Sequence, residues 1–380
     1  FVKTAQNAAF DFWEGLQTTF SGIKTSIWIP KTTDTNANAA IKPKGNGANV
    51  AQDPDGTTIG GNARGQYATD WQKSRSSNNE VASGDYSTIG GGQNNSATGS
   101  QSTVGGGIAN DATGLRSFIG GGLNNRASGS RATVSGGDDN AASGDRATVG
   151  GGRGNRASGD YSAVGAGQDN TASTGTHATV SGGLTNTASG GASTVGGGDA
   201  NTASGGRSTV GGGEGNTASG NRATIGGGKD NTSSGTRATV SGGDNNTASN
   251  FYPAVGGGKN NTASGQYSTV SGGFRAIASR YGQFGQASGR FISDGDAQFS
   301  RYVLRTATTD ATANVELFLD GTGGSNRITI PEGTAYQFHI YITSIQQTGN
   351  NAKSSEITGL IRRESGQNAT IVGQHTDGNK

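Results

Sequence analysis

The sequence predicts an all-β fold, an elongated β-roll or β-solenoid of thirteen 15-residue repeats that is followed by a β-sandwich-like domain. Three observations predict it: the 15-residue period, the 71 glycines among 380 residues, and a short [Ser/Ala]-Thr-Val run in most copies. Glycine disfavours a helix interior by about 1 kcal/mol relative to alanine, whereas short β-branched runs favour strands. We therefore expect each repeat to supply one short strand and turns that stack on the next copy.

The composition excludes several functional classes. Apolar residues make up 29% of the chain and charged residues 15%, against about 45–50% and about 25% in a typical globular domain, which argues against a compact enzyme with one large core. Lys and Arg (29) nearly balance Asp and Glu (27), so a strongly basic nucleic-acid-binding protein is not expected. Cysteine is absent. The sequence also contains no run of about 18 apolar residues, so no membrane-spanning helix is predicted.

One Val or Ile in each copy sets the register of the repeat, and a one-residue insertion near Thr174 makes one spacing 16. Stacking in register would turn these residues into a buried core column. The predicted core ladder is Ile89, Val104, Ile119, Val134, Val149, Val164, Val180, Val195, Val210, Ile225, Val240, Val255 and Val270.

An Asn stands six residues after the Val or Ile in every copy except the last, which has Ala276. A stacked amide can donate to and accept from its neighbours, so a structural ladder is favoured over a ligand site. The predicted Asn ladder is Asn95, Asn110, Asn125, Asn140, Asn155, Asn170, Asn186, Asn201, Asn216, Asn231, Asn246 and Asn261.

The core that one copy can supply is thin. Burial of one Val or Ile contributes about 1.5–3 kcal/mol, whereas ordering the residues of one repeat costs about 20 kcal/mol. We therefore expect a parallel homotrimer whose chains share the core and bury their Gly-rich edges at a common axis, as glycine does in collagen. A monomeric two-layer solenoid is the alternative.

The chain divides into four regions. Residues 1–80 are expected to form a β-rich cap or attachment segment, 81–280 the repeat shaft, 281–300 a transition, and 301–380 a C-terminal β-domain.

The regions on both sides of the shaft carry further predictions. Residues 41–49 predict a strand, an Asn-Gly turn and a second strand. Trp71 is expected to cap the first coil, and aromatic residues between 281 and 299 are expected to cap the last. Phe1 stands where a Met would begin a chain, and the end at Lys380 lacks a returning strand, so the β-domain is expected to continue. Its expected strands are Arg301–Thr306, Val315–Leu319, Arg327–Ile330, Tyr336–Thr343, Ser354–Arg363 and Thr370–Gln374.

The repeat Asn261-Thr-Ala-Ser-Gly-Gln-Tyr-Ser-Thr-Val-Ser-Gly-Gly273 resembles the glycine-rich repeats of phage tail fibres and, more loosely, the head repeats of trimeric autotransporter adhesins. The upstream segments 42–48 and 55–65 and the downstream segments 301–305 and 327–331 resemble the regions that flank such repeats in phage fibres. The resemblance implies a homotrimeric fibre with a β-roll shaft and a terminal domain, on a virion or, alternatively, on a bacterial surface. Its implied partners are sister chains, other fibre or virion proteins at an attachment end, and host surface glycan.

We find no pattern of residues that predicts an enzyme, a cofactor or a metal site. His177, His339 and His375 are the only histidines, and no Ser-His-Asp set is identifiable. The runs that end in Lys229 and Lys259 lack the Ser or Thr of a phosphate-binding loop. A glycan-cleaving spike remains a distant third function, since sequence cannot place paired carboxylates in a groove.

Three residues before each Val or Ile lies a column rich in Arg and Tyr, which we call the stripe. Stacked outward, it could contact acidic surface glycan; the alternative is that solvated Arg stems pack on each other and on nearby Asp residues. A Thr column also raises ice binding, but one Thr per coil is fewer than the paired ladders such a face needs. The predicted contact residues are Tyr86, Arg116, Arg131, Arg146, Tyr161, Arg207, Arg222, Arg237, Tyr252 and Tyr267, and Gln101, His177 and Ala192 complete the column.

Overall fold

The structure, a computed structural model, describes residues 25–27, 41–43, 49–51, 54–72, 74–306, 316–321, 324–330, 334–345 and 352–377. These residues contain strands and no helix, as the sequence predicts. They form two units: the solenoid, with residues up to 279 and 283–301, and a C-terminal unit, with residues 280–282 and from 302 onward.

Each coil of the solenoid contributes two strands, whereas the sequence predicted one. The strands that carry the Val or Ile pair in parallel with the equivalent strands of the coils before and after, for example Val134 with Val149. This valine ladder consists of Thr88–Ile89, Thr103–Val104, Phe118–Ile119, Thr133–Val134, Thr148–Val149, Ala163–Val164, Thr179–Val180, Thr194–Val195, Thr209–Val210, Thr224–Ile225, Thr239–Val240, Ala254–Val255 and Thr269–Phe274.

The second strand of each coil follows the Asn and forms a parallel alanine ladder. It went unpredicted because alanine has low β-propensity and carries no alternating apolar signal. The alanine ladder consists of Ser96–Ala97, Asp111–Ala112, Arg126–Ala127, Ala141–Ala142, Arg156–Ala157, Thr171–Ala172, Thr187–Ala188, Thr202–Ala203, Thr217–Ala218, Thr232–Ser233, Thr247–Ala248, Thr262–Ala263 and Ile277–Ala278.

The solenoid extends beyond the thirteen sequence repeats at both ends. Asn49–Val50 and Thr69–Asp70 pair in parallel before Thr88–Ile89, and Phe284–Ser288 pairs in parallel after the last valine strand. This gives about 15 stacked turns between residues 69 and 288. Gln298–Arg301 then pairs antiparallel with Phe284–Ser288 and ends the sheet.

A single chain fills its own interior. Every Val and Ile of the predicted core ladder is at most 1% exposed, and so are the Ala residues of the alanine ladder, for example Ala203 and Ala218. The expectation that sister chains must complete the core is therefore wrong. The thin apolar content is sufficient because two facing ladders place Val, Ala and Asn side chains in one narrow, closed coil.

Close contact between successive coils accounts for the recurring glycines. A Cβ on Gly220 would lie 1.9 Å from the carbonyl oxygen of Gly235, and one on Gly213 would lie 2.0 Å from that of Gly228. Gly213 also has a φ of +90°, which favours glycine. These glycines are required within one chain, so they are not evidence for an axis shared by three chains.

Polar side chains close the N-terminal end of the solenoid. Asp70 lies above Ile89 in the core column and forms ion pairs with Arg64 (2.9 Å) and Arg75 (3.1 Å), all with side chains at most 1% exposed. Gln72 takes the place of a ladder amide, since its Oε1 accepts from the backbone N–H of Asn95. The expectation that Trp71 forms this cap is wrong, because Trp71 is 42% exposed.

Amide side chains close the other end as well. The backbone N–H of Ile277 donates to Gln298 Oε1 (2.8 Å), whose Nε2 donates back to the Ile277 carbonyl (2.8 Å). Gln283 Oε1 accepts from the backbone N–H of Ser279. The expected aromatic closure is wrong, since Phe291 and Phe299 are 84% and 63% exposed. Amide side chains can close this end because they form hydrogen bonds with the backbone groups that a further coil would have paired, which aromatic rings cannot do.

The predicted hairpin across residues 41–49 is also wrong. Ile41–Pro43 pairs antiparallel with Thr25–Ile27, whereas Asn49–Val50 pairs in parallel with Thr69–Asp70. The two halves of the expected hairpin therefore join different partners, and residues 44–48 lie outside the described part of the chain.

The C-terminal unit contains a three-stranded antiparallel sheet of Thr334–Ile345, Ala352–Arg363 and Thr370–Asp377. These strands match the last three predicted ones, with longer bounds. Arg305 and Phe318 form a single bridge, and residues 327–330 are not a strand. The described residues of this unit thus show one antiparallel sheet and no second sheet of the expected sandwich. Its apolar side, expected to be buried, is partly exposed at Ile340 (44%).

A column of small residues two before each Val or Ile also faces inward, and its serines are poorly satisfied. The hydroxyls of Ser193, Ser208 and Ser268 are buried and have no hydrogen-bond partner. Other copies carry Ala at this position, for example Ala132 and Ala223. A buried hydroxyl without a partner keeps its desolvation penalty, so alanine is the more favourable residue here.

We predict that Ser193→Ala, Ser208→Ala and Ser268→Ala each raise the free energy of unfolding, by about 1 kcal/mol. Urea unfolding followed by far-UV circular dichroism measures the change. The exposed Ser204→Ala is the matched control and should shift stability by less than about 0.5 kcal/mol. Destabilisation by the buried replacements would contradict the assignment of these hydroxyls as unsatisfied.

Candidate functional site

The Asn residues lie inside the solenoid, at most 1% exposed. The Asn201 side-chain nitrogen donates to the carbonyl oxygens of Gly197 (2.9 Å) and Gly213 (2.8 Å) and lies 3.1 Å from Asn186 Oδ1. Its own Oδ1 accepts from the backbone N–H of Asn216 (3.0 Å). Each side chain thus joins its own coil to the next one, and that of Asn201 also contacts the coil before. No amide group is left for a ligand.

The stripe lies outside the solenoid, and all its members have exposed side chains. Each of its residues also has a left-handed backbone conformation, with φ between 54° and 65°. This conformation costs a residue other than glycine about 1–2 kcal/mol, and Asn and Asp tolerate it best. At this turn Arg and Tyr therefore cost more conformational free energy than Asn or Asp would.

A second left-handed column gives an internal comparison. The residue before each ladder position, which is Asn in twelve copies and Ala276 in the last, has φ between 53° and 67° in all thirteen copies. Nine of these thirteen residues are Asn, Asp or Gly, whereas the stripe contains none of these three types among its thirteen. Backbone geometry explains the residues of the second column but not those of the stripe. The side-chain contacts of the stripe are the remaining structural property that can account for its residues.

In the first half of the stripe, which runs from Tyr86 to Arg146, Arg116 and Arg146 have side-chain contacts within the chain. Arg116 Nε donates to Gln101 Oε1 (2.7 Å). Arg146 lies 3.7 Å from a carboxylate oxygen of Asp145, and its guanidinium is 4.9 Å from the ring centroid of Tyr161. Arg146, which pairs with Asp145, therefore agrees with the structural alternative, in which Arg stems pack on each other and on nearby Asp.

In the second half, which runs from Arg207 to Tyr267, no carboxylate in the described chain forms an ion pair with Arg207, Arg222 or Arg237. In the first half Arg146 has such a pair. Arg237 lies over the ring of Tyr252, 5.0 Å from its centroid, and Tyr252 stacks on Tyr267 at 5.2 Å with 19° between the planes. Three like charges thus follow one another in successive coils without a counter-charge. An accumulated positive field on an exposed surface attracts anions.

The C-terminal sheet carries a smaller polar group on one of its faces. His339 and Tyr341 alternate with the apolar side chains, and their rings stack at 4.4 Å. His339 Nε2 contacts the carboxylate of Glu356 on the neighbouring strand. This exposed group can offer hydrogen bonds to a polar ligand.

The described residues contain no group of three His, Cys, Asp or Glu side chains arranged to hold a metal ion. The same residues include no helix with the length and hydropathy needed to cross a bilayer. In comparisons with known proteins, no family model matches the chain and no curated protein matches its sequence. Functional conclusions therefore depend on the geometry of the solenoid and its stripe.

We predict that Asn201→Ala lowers the free energy of unfolding by about 3 kcal/mol, because it leaves two carbonyl oxygens and one backbone N–H without this partner. Asn221→Ala removes an exposed amide and is the control, with an expected change below about 0.5 kcal/mol. Urea unfolding measures both. Equal effects would show that the ladder amide contributes no more than a surface residue.

We predict that Arg222→Asn leaves the free energy of unfolding unchanged or raises it by up to about 1 kcal/mol, because Asn tolerates the left-handed backbone better. Ala192→Asn, at the same position of another coil, measures the backbone effect alone. A loss of more than about 1 kcal/mol for Arg222→Asn only would show that the Arg stem stabilises the solenoid, and the structural interpretation of the second half would then hold.

Proposed function

We propose that this chain is a structural and adhesive fibre protein, with the solenoid as its shaft and the C-terminal β-unit as its receptor-binding domain. The observation that carries the proposal is the unbroken stack of about 15 turns, in which each coil pairs only with its neighbours. At about 4.8 Å per turn such a stack spans about 70 Å. A filled interior without room for a substrate suits a spacer.

The proposed setting is a phage tail fibre or spike, at a virion surface. Support comes from the resemblance of the repeats and of the segments on both sides of them, in the same order, to phage fibres. The second candidate is a bacterial cell-surface adhesin or extracellular filament subunit, which the stacked solenoid would serve equally well. An attachment end that binds other fibre or virion proteins belongs to the first candidate.

Homotrimeric assembly is part of this proposal because of the resemblance to phage fibres. It is not needed to complete the core. Because the interior is complete within one chain, sister chains would meet through the outer surfaces. The Val and Ile column would then stay inside each subunit. The number of chains in the assembly is thus not fixed by the folding of the shaft.

Light scattering on the purified chain tests the assembly, with an expected mass three times 37.8 kDa. Electron microscopy should show rods of about 70 Å or longer. Gold-labelled antibodies against the repeats should mark phage tails in lysates of the producing culture. Labelling of the bacterial envelope instead would favour the second candidate, and a compact monomer that labels neither surface would contradict the fibre.

A further inference from the structure

The second half of the stripe presents hydrogen-bond donors in a row. Arg207, Arg222, Arg237, Tyr252 and Tyr267 occupy five consecutive coils, and all five side chains are exposed. One face of the Tyr252 ring is covered by the Arg237 guanidinium and the other by the ring of Tyr267. Flat groups that cover each other expose their edges, where guanidinium N–H and phenol O–H groups lie.

The surroundings of this row are free of acidic residues. The segments 202–213, 217–229 and 232–243 contain none. The nearest carboxylates in sequence belong to the other corner of the coil, where Glu214 pairs with Lys229 (2.9 Å) and Asp244 with Lys259 (2.7 Å). Asp199 and Asp230 add two more carboxylates at that corner, so its charge is negative overall. None of these carboxylates forms an ion pair with Arg207, Arg222 or Arg237 in the described chain.

We propose that the surface from Arg207 to Tyr267 binds a linear polyanionic glycan that lies along the shaft, either a polyuronate or a sulfated polysaccharide. The planar fork of Arg matches carboxylate and sulfate groups. A polysaccharide with one anionic group per sugar advances by a distance comparable to one coil. The outward hydroxyls of Thr209 and Thr224, beside the arginines, suit sugar hydroxyls.

Single-stranded nucleic acid is the competing polyanion, and the ring geometry disfavours it. Such proteins take up bases by stacking them on free aromatic faces. The faces of Tyr252 are already covered by Arg237 and Tyr267. The stripe therefore offers edges to an anionic chain but no platform between these groups for a base.

This inference rests on the proposed fibre function only for the source of the glycan, namely a host surface. Binding of the full chain to polygalacturonate and to heparin, measured by calorimetry, tests it, with dextran as the neutral control. The triple variant Arg207→Asn/Arg222→Asn/Arg237→Asn should weaken binding of at least one polyanion by about tenfold or more. The matched control Arg153→Asn/Lys229→Asn/Lys259→Asn removes the same charge from the other corner and should change affinity by less than about twofold.

An equal loss in the two triple variants would overturn the proposal, since it would show attraction by net charge alone. Absence of binding to both polyanions would overturn it too, as would tighter binding of a single-stranded DNA oligomer that is lost in the stripe variant. Electron microscopy of the stripe variant separates the two levels of the proposal. Intact rods that no longer bind glycan leave the fibre in place, whereas a chain that forms no rods but still binds glycan contradicts only the fibre.

Discussion

The structure depends on one repeated interaction, the buried Asn side chain that joins each coil to the next one. A coil of this size has too few apolar groups to hold its shape by burial alone. The amide supplies donors to two glycine carbonyls and an acceptor to the next backbone N–H, so it fixes the turn and the spacing of the stack together. Hydrogen bonds of this kind, shielded from water, are costly to break.

The glycines and the end caps follow from that constraint. Of the two carbonyl oxygens that Asn201 reaches, that of Gly213 belongs to a residue at which any side chain would collide with the next coil. At the ends, where no further Asn is available, Gln72 and Gln298 supply amides with the same bonding capacity. The same logic makes the column self-sufficient, so assembly with other chains becomes a property of its outer surface.

The outer surface is where the sequence is free to vary, and the stripe shows a departure from what the backbone prefers. Two left-handed turns recur in every coil, and only one of them is filled with the residues that tolerate it best. At the other, Arg and Tyr persist against the preference of the backbone. In the first half Arg146 pairs with Asp145 and Arg116 with Gln101. In the second half none of the three arginines forms an ion pair with a carboxylate of the described chain.

Much of this fold could be predicted from the sequence because equivalent positions in successive repeats have the same surroundings. The period, the all-β class, the Val and Ile column and the Asn column all follow from which positions stay constant. The outward position of the stripe follows from its variability. The three long strands of the C-terminal sheet follow from their alternating residues. In a regular stack, residues that recur at one position of the repeat lie above one another and form a column.

Other features were decided only by the tertiary structure. The alanine strand is a strand because its neighbours pair with it, not because Ala favours one. The interior closes within a single chain because two ladders face each other, which a count of apolar residues per repeat does not reveal. The caps depend on Asp70 and on glutamines, which meet unpaired backbone groups only after folding. Which arginines lack a counter-charge depends on which corner of the coil each acidic residue occupies.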